Sequence, residues 1–341
     1  MIVTVTPNPA IDLTYPVDAV HLGHTNRVEA AFVRAGGKGI NVARVAHQQG
    51  HAVLAVAPIG GDSGREFADE LTASAVNHRL VPVQASTRRT IAFVEHRDNR
   101  TSIFTESGQN HTPAEWQLLT DAVASALPTA RALVGSGSLP AGAPLDFYPH
   151  LVTLAAAHGV PSIIDTSGAG LLAAAAAGAT VLKPNRQELA EATGLGDPLA
   201  GARHLLALGA GLVLLSLGEE GMVALAASDP ERLHSARLPR VLRGNPTGAG
   251  DAAVAAAAVA YATGQHRIDQ VLRAATAWSA VAVLMPLAGD ISAEHTALAA
   301  ELVFDTQSFD TQNFDTQSFD THSFDTQSFD TQSFDTPDRE N

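Results

Sequence analysis

The stretch PSIIDTSGAGLLAAAAAGATVLKPNRQE (161–188) decides the fold. It passes from a short β-branched run through a longer segment suited to a helix to a second short run that ends in polar residues. Other short runs of strand character are VTVT (3–6), VLAVAPIG (53–60), ALVGSG (132–137) and GLVLLSLG (211–218), and helices are predicted over 63–76 and 145–158. This repeated alternation predicts an α/β fold, a doubly wound and mainly parallel sheet covered by helices on both faces.

Several predicted strands are followed at once by polar or glycine-rich segments. These segments are GSGSLP (135–140), KPNRQE (183–188) and SLGEEG (216–221). Ligands of such sheets bind at the carboxyl ends of the strands. We therefore expect the binding site at that edge of the sheet.

Two segments, 13–34 and 86–106, interrupt the alternation of strand and helix. They contain short extended runs such as NRVEAAFVR, TIAFVE and TSIFTE, with the turn-like RDNR between the last two, and no helix of useful length. These features predict a small antiparallel addition to the main sheet, which we interpret as a lid.

Composition narrows the classes of function. The 341 residues are 45% hydrophobic, enough for a substantial core, and the absence of cysteine excludes disulfides, thiolate metal sites and cysteine nucleophiles. A formal charge of −14 argues against a nucleic-acid partner, because nucleic-acid-binding proteins usually present a basic face. The N-terminus has no signal-peptide pattern, and no run reaches the ~18 apolar residues of a membrane span, so we expect no membrane partner and a cytoplasmic location.

From Phe304 onward the sequence repeats the five residues FDTQS with small variations. A period of five matches neither the 3.6 residues of a helical turn nor the alternation of a strand. The pattern predicts a folded body over 1–303 and a disordered, low-complexity tail over 304–341. An interaction tail that uses the phenylalanines is the alternative.

The segment RGNPTGAGDAAVAAAAVAYATG (243–264) places a lone carboxylate, Asp251, between a glycine-rich turn and a predicted helix over 249–263. The first turn of a helix leaves N–H groups unpaired and favours negative charge, such as phosphate oxygens. A carboxylate there can accept a proton from a hydroxyl that attacks phosphorus. The alternative is that Asp251 only caps the helix.

Two further segments contain candidate ligand-binding residues. In AGGKGINVARV (35–45), paired glycines precede Lys38, which suits close contact with a phosphorylated ligand; the alternative is a helix-entry loop with a solvated lysine. In KPNRQE, Asn185 and Glu188 lie on one helical face and suit Mg²⁺; the alternative is a capping box.

The turn SLGEEG (216–221) lies between two predicted strands and could flank a nucleotide, or it could be a plain hairpin turn. The phosphate-binding pattern GxxxxGK[ST] is absent, and no GxGxxG follows the first strand. Neither of these familiar phosphate-binding loops is therefore predicted.

Taken together, the ordered motifs resemble the ribokinase-like (PfkB) family of sugar kinases over about residues 1–295. The motifs are TPNPAIDLTY, AGGKGINVAR, GSGSLPAG, KPNRQEL, SLGEEG and NPTGAGDA. The resemblance implies a three-layer α/β/α core with a small β lid, ATP as donor, and Mg²⁺. It also implies that Asp251 is the general base and that the amides of residues 247–250 form an anion hole.

The resemblance further implies a role for each matching residue. The anion hole would include Gly248, Ala249 and Gly250. The sugar-phosphate ligands would be Asp12, Gly36, Gly37, Lys38, Asn41, Arg88 and Ser138. The nucleotide ligands would be Lys183, Asn185, Ser216, Gly218, Gly221 and Thr247, with Asn185 and Glu188 at the metal.

Within the family, TPNPAIDLTY and GGKGIN are most similar to kinases of ketohexose phosphates. The implied reaction converts fructose 1-phosphate to fructose 1,6-bisphosphate, with tagatose 6-phosphate and fructose 6-phosphate as alternative acceptors. A sensor that binds these ligands without catalysis is the alternative of another class. Thr90 stands where close relatives have asparagine, and the doublet Arg88 and Arg89 leaves open which guanidinium contacts substrate. The lid strands could also pair in a homodimer.

Overall fold

The computed structural model describes residues 1–97 and 100–308, and fourteen strands lie in these ranges. The strands are β1 (Ile2–Val5), β2 (Ala10–Val17), β3 (Phe32–Gly36), β4 (Val53–Ile59), β5 (His78–Pro82), β6 (Arg88–Glu95), β7 (Arg100–Thr105), β8 (Ala132–Ser136), β9 (Ser162–Asp165), β10 (Val181–Leu182), β11 (Leu212–Ser216), β12 (Met222–Ala226), β13 (Asp229–Arg237) and β14 (Val303–Ser308).

Ten α-helices lie between the strands in the described ranges, together with short 3₁₀ turns at Leu127–Thr129 and Gly218–Glu220. The helices are α1 (Lys38–Gln48), α2 (Gly61–Ala73), α3 (Pro113–Ala124), α4 (Phe147–Ala157), α5 (Ala169–Ala176), α6 (Arg186–Thr193), α7 (Pro198–Leu208), α8 (Ala249–Ala262), α9 (Ile268–Val283) and α10 (His295–Glu301).

The large sheet has the order β14-β13-β12-β11-β10-β9-β8-β1-β4-β5. Every pairing from β11 to β5 is parallel, and β12, β13 and β14 extend it antiparallel. The chain runs outward from β1 through β4 to β5, and then from β8 through β9, β10 and β11 in the other direction. The strand order therefore reverses between β1 and β8, where doubly wound sheets bind ligands.

Helices cover both faces of this sheet, because alternate side chains of the parallel strands point to opposite faces. Ile2 belongs to one buried cluster, with α1, α2, α8, α9 and α10. Val3 and Val5 belong to a second cluster, with α3, α4, α5, α6 and α7. The predicted three-layer α/β/α architecture is confirmed. In the described ranges, no helix combines the length and the apolar character that crossing a bilayer requires.

The second sheet has four strands in the order β3-β2-β6-β7 and lies where the sequence predicts a lid. The sequence predicts a small antiparallel addition to the main sheet. The outer pairs β3-β2 and β6-β7 are antiparallel, but the four strands form a separate sheet, and its central pair β2 and β6 is parallel, with Ala10 opposite Arg88. Two separate segments of the chain supply the sheet and run in the same direction at its centre. This register places Asp12 beside Thr90 on β6 and opposite Arg34 on β3.

The described fold extends one repeat beyond residue 303, where the sequence predicts the folded body to end. Residues Phe304–Ser308 continue β14 and pair with β13, with Phe304 opposite Ala236. Phe304 packs against the core, and the Arg273 guanidinium lies 4.0 Å from the centre of its ring. The ladder and this contact order a segment that composition alone marks as disordered. The prediction for 309–341 falls outside the described residues.

Candidate active site

Three of the predicted site residues, Lys38, Lys183 and Asp251, meet two further polar residues where β8, β9 and β10 end and where α1 and α8 begin. Ser136 is the last residue of β8, Asp165 the last of β9, and Lys183 follows β10 directly. Lys38 opens α1, and Asp251 lies in the first turn of α8. The doubly wound topology thus brings side chains that are far apart in the chain to one edge of the sheet.

Asp251 is buried, with only 6% of its surface exposed, and its Oδ2 accepts a 2.8 Å hydrogen bond from Asn41 Nδ2. Burial raises the pKa of the Asp251 carboxyl to about 7, the Lys38 charge opposes the rise, and the Asp165 charge adds to it. A carboxyl with a pKa near neutrality is suited to accept a proton at working pH. The alternative of a simple helix cap finds no support, because the Asp251 side chain makes no capping hydrogen bond in the described structure.

Lys38 extends between two carboxylates. Its Nζ lies 3.3 Å from Asp165 Oδ2 and 3.3 Å from Glu188 Oε1. The Asp165 charge raises the pKa of Lys38 above its ordinary value, against the effect of burial, and Glu188 and Asp251 add to the rise. Lys38 is therefore a cation paired with two carboxylates of the site, although 39% of its side chain remains exposed.

Asp165 is a site residue that the sequence analysis missed. Its buried carboxylate lies 3.5 Å from Lys183 Nζ and accepts a 3.2 Å hydrogen bond from Ser136 Oγ. Burial alone would raise the pKa of Asp165, but the Lys183 and Lys38 charges hold it below its ordinary value. One carboxylate therefore holds two ammonium groups. Its position directly after the run SII was the available sequence signal.

The first turn of α8 begins at this edge of the sheet and contains unpaired amides. Gly248 adopts φ 87°, and a Cβ there would lie 2.9 Å from Ala288 Cα, so the turn requires glycine. Thr247 N donates to Asn245 Oδ1, and Ala249 N donates to Pro246 O. In the described part of the chain no hydrogen bond uses the N–H of Gly248 or Gly250. Of the residues predicted to form an anion hole, Thr247 and Ala249 thus have paired amides, and Gly248 and Gly250 have amides without a partner in the described structure.

On the lid side, Asp12 lines a cavity beneath the small sheet together with Arg34, Asn41, Thr90 and Thr247. A Cβ on Gly36 would overlap the Asp12 carboxylate, so glycine is needed for the close approach of β3 to β2. Burial raises the pKa of Asp12 to about 6, and the Arg88 charge opposes the rise.

A second cavity, of about 230 Å³, is lined by Lys38, Arg88, Ser138 and Glu188, among others. Two cations, a hydroxyl and a carboxylate therefore face one space. Arg89 points elsewhere: its guanidinium lies 3.6 Å from Glu66 and its side chain is 45% exposed. The structure thus places Arg88, and not Arg89, at the cavity.

The remaining predicted nucleotide ligands lie at the ends of β10 and β11. Asn185 and Ser216 form a single parallel bridge beside the buried Lys183. Gly218 and Gly221 flank the turn that links β11 to β12, the hairpin that the sequence left as the alternative. Lys183 also approaches the start of α8, since a Cβ on Gly250 would lie 3.4 Å from Lys183 Nζ.

Gly37 precedes α1 as its N-cap, so the paired glycines do form a helix entry. The structure thus brings Lys38, Asn41, Asp251, Gly250 and Lys183 into one network through the contacts described above. Asp12 and Arg88 reach the same region from the lid strands.

Comparison with known proteins decides the family. The family model described as pfkB family carbohydrate kinase matches residues 5–295. The chain belongs to this family.

Two relatives of this pfkB kinase are similar over most of their length. A 1-phosphofructokinase of Xanthomonas campestris pv. campestris is 38% identical over 286 residues, 81% of this chain and 89% of the relative. An ATP-dependent 6-phosphofructokinase isozyme 2 of Mycobacterium tuberculosis is 35% identical over 291 residues, 84% of each chain.

The fold is also that of a solved structure, the tetrameric inhibited form of phosphofructokinase-2 from Escherichia coli. The TM-score is 0.79 at 27% identity, over 88% of this chain and 98% of that one. The family resemblance predicted from the motifs is therefore confirmed, and the pfkB kinase is an ATP-dependent carbohydrate kinase.

In this pfkB kinase one carboxylate at the cavity, that of Glu188, is suited to bind Mg²⁺. Asn185 Oδ1 accepts the Glu188 amide at 2.8 Å, and Glu188 Oε2 accepts the Asn185 amide at 2.9 Å, so the pair forms the capping box. Of the two residues only Glu188 lines the cavity, and its Oε1 lies 3.3 Å from Lys38 Nζ. In the described ranges no cluster of three or more His, Cys, Asp or Glu side chains is suited to a metal. Magnesium often keeps water and phosphate oxygens as its other ligands.

Proposed function

We propose that this pfkB kinase transfers the γ-phosphoryl group of ATP to the free primary hydroxyl of fructose 1-phosphate. The observation that carries the proposal is the cavity that Lys38, Arg88 and Ser138 line together. Lys38 also pairs with Asp165, so this cavity lies next to the charged groups around Asp251. Charge-assisted hydrogen bonds from two cations favour a dianionic sugar phosphate over a neutral sugar. The name of the Xanthomonas relative supports the same acceptor.

In the proposed reaction the acceptor oxygen forms a bond to the γ-phosphorus while the bond from phosphorus to the ADP oxygen breaks. The hydroxyl proton goes to Asp251, whose Oδ2 is held by Asn41. With a pKa of about 7, the carboxyl is ionised in a large fraction of molecules at neutral pH and is a better base than an exposed aspartate.

Charge that develops on the transferred group is stabilised by groups already in place. The amides of Gly248 and Gly250, which have no partner in the described structure, lie at the start of α8, and the Lys183 ammonium lies beside Gly250. Asp165 fixes Lys183, so this stabilisation needs little reorganisation when the substrates bind. Glu188 would hold Mg²⁺, which when bound neutralises charge on the donor phosphates.

The lid sheet contributes residues to the acceptor side and closes over it in this proposal. Asp12 and Arg88 belong to β2 and β6, the two central lid strands, so movement of the lid carries both toward the site. Closure excludes water, which would otherwise compete with the sugar hydroxyl.

A comparison of three acceptors tests the proposed substrate. With ATP and Mg²⁺, we expect fructose 1-phosphate to give the highest kcat/KM, followed by tagatose 6-phosphate and fructose 6-phosphate, as measured by coupled release of ADP. A higher kcat/KM for fructose 6-phosphate would instead favour the activity named for the Mycobacterium relative. ADP release with none of the three would favour a sensor without transfer.

We also propose a homodimer formed through the lid. The edge strands β3 and β7 expose the large apolar side chains Phe32 and Phe104, which are 55% and 60% exposed. Exposed apolar sheet edges favour pairing with a second copy. We expect light scattering to give twice the chain mass and Phe104→Asp to shift it toward the monomer. Leu118→Asp on α3, a position 52% exposed, is the control; an equal shift by both variants would contradict a lid interface.

A further inference from the structure

Asn8 contacts both Ser138 and Arg88, the two groups proposed to bind the substrate phosphate, and lines the cavity with them. It follows β1 within TPNPA, whereas Ser138 follows β8, so the two residues face each other across the point where the strand order reverses. Asn8 Nδ2 donates a 3.2 Å hydrogen bond to Ser138 Oγ.

The same residue holds the guanidinium of Arg88. Arg88 Nε donates to Asn8 Oδ1 at 3.0 Å and to the Asn8 backbone oxygen at 3.3 Å, and Arg88 Nη2 donates to that backbone oxygen at 3.1 Å. Nη1 donates weakly to Thr90 Oγ1 at 3.4 Å and to Glu106 O at 3.3 Å. One edge of the guanidinium is therefore fixed by Asn8, which sets the direction of the remaining donors.

The hydrogen bond from Asn8 also sets the direction of the Ser138 hydroxyl. A hydroxyl oxygen has one donor and two acceptor positions. Because Asn8 Nδ2 occupies an acceptor position of Ser138 Oγ, the Ser138 proton remains available to an anion in the cavity. The two ends of one amide thus direct a cation and a hydroxyl donor into the same space.

Asn8 is constrained by its neighbours in the chain and by one close contact. It is preceded by Pro7 and followed by Pro9, and a residue before proline is biased toward extended conformations. Gly108 lies against its amide, since a Cβ on Gly108 would overlap Asn8 Oδ1. Asn8 also lines the cavity beside Arg88 and Ser138.

We infer that Asn8 is a positioning residue for the phosphate of the acceptor sugar, acting through Arg88 and Ser138. The inference rests on the proposed function, since it assigns the cavity of Arg88 and Ser138 to that phosphate. Asn8 presets both donors before the substrate arrives, so that less ordering is required on binding. It therefore contributes to discrimination between a phosphorylated and an unphosphorylated sugar.

The test compares fructose 1-phosphate with fructose in the full-length chain and in Asn8→Ala. We expect the variant to raise KM for fructose 1-phosphate about tenfold, as one lost hydrogen bond to a charged group predicts. KM for ATP and kcat/KM for fructose are expected to stay within about twofold of the unsubstituted chain, which is well under the loss of one hydrogen bond. A merely structural defect would lower activity on both sugars alike.

A second variant guards against loss of folding. Asn8→Asp retains an acceptor for Arg88 Nε but loses the donor to Ser138 and adds negative charge beside the phosphate. We expect its selectivity for the phosphorylated sugar to fall further than that of Asn8→Ala, with a melting temperature close to that of the unsubstituted chain. Equal loss on both sugars, or unchanged KM for fructose 1-phosphate in both variants, would overturn the inference.

Arg88→Ala separates the two possible failures. If it abolishes the preference for the phosphorylated sugar while both Asn8 variants retain it, the inference on Asn8 fails and the proposed function stands. If the unsubstituted chain shows no such preference, or Arg88→Ala leaves it unchanged, the proposed phosphate site fails and the inference on Asn8 fails with it.

Discussion

Asp251→Asn is expected to lower kcat by about three orders of magnitude, within the range that a positioned general base contributes. The asparagine keeps the volume of the side chain and can still accept the Asn41 hydrogen bond, but it cannot take the proton of the acceptor hydroxyl. KM for ATP is expected to change little, because the nucleotide ligands lie on other strand ends. Steady-state kinetics with saturating ATP measure both quantities.

The same substitution is expected to stabilise the fold at high pH. The folded pKa of Asp251, about 7, lies above the value of about 3.9 for an unfolded aspartate. The folded chain therefore binds the proton more tightly, and its free energy of unfolding decreases as pH rises from about 4 to about 7. Asparagine carries no charge at any pH, so it avoids this loss.

Thermal unfolding at two pH values checks the second effect. The melting temperature of Asp251→Asn is expected to exceed that of the unsubstituted chain at pH ~8 and to match it at pH ~4, where both side chains are mostly neutral. A variant with near-normal turnover would contradict the role of Asp251 as base. If the variant were less stable than the unsubstituted chain at the higher pH, the ionised Asp251 side chain would not destabilise the folded protein as we expect.

Arg88→Ala is expected to raise KM for the sugar phosphate by about 10- to 100-fold, the equivalent of about 1.5–3 kcal/mol for hydrogen bonds to a charged group. The guanidinium lines the cavity with Lys38 and Ser138, so its loss removes one of two cations from the phosphate. The value of kcat is expected to change less, because Arg88 is not among the groups around Asp251. Saturation curves for fructose 1-phosphate at fixed ATP measure the split.

The adjacent Arg89 provides a matched control. Its guanidinium faces Glu66 at the surface, and an exposed ion pair contributes little. Arg89→Ala is therefore expected to leave KM for the sugar phosphate within about twofold of the unsubstituted value. Equal effects of the two alanine variants, or a larger effect of Arg89→Ala, would show that the second arginine of the doublet binds the substrate.

The fold could be predicted because its signals are local. Short β-branched runs alternate with helical segments, and this pattern alone specifies a parallel sheet with two covered faces. The start of α8 could also be predicted, since NPTGAGDA contains both the glycine turn and the acidic residue of the first helical turn. The order of the motifs also indicated that Asp251, Lys38 and Asn41 belong to one site, although Asn41 and Asp251 are 210 residues apart in the chain.

The residues that the sequence did not reveal act through contacts that no local pattern encodes. Asp165 is the last residue of the buried strand β9. It contacts Lys38 and Lys183 only because β9 lies between β8 and β10. Asn8 meets Arg88 and Ser138 because two sheets join beside the end of β1. Such partners depend on strand order, which the alternation of elements does not determine.

Two further features of the structure also have tertiary causes. A first FDTQS repeat has no strand periodicity of its own, yet the open edge of β13 and the Arg273 side chain order it. Asn185 and Glu188 are spaced equally well for a metal and for a capping box, and the hydrogen bonds of the folded chain favour the capping box. Spacing alone cannot separate two uses of the same helical face.

Phosphorus-31 NMR of one reaction mixture tests the central claim most directly. The unsubstituted chain and Asp251→Asn are incubated separately with ATP, Mg²⁺ and fructose 1-phosphate, and the products of each reaction are followed. Phosphoryl transfer to the free primary hydroxyl predicts ADP and fructose 1,6-bisphosphate in equal amounts, with almost none from the variant. ADP accompanied by inorganic phosphate instead of bisphosphate, or equal bisphosphate from both proteins, would contradict it.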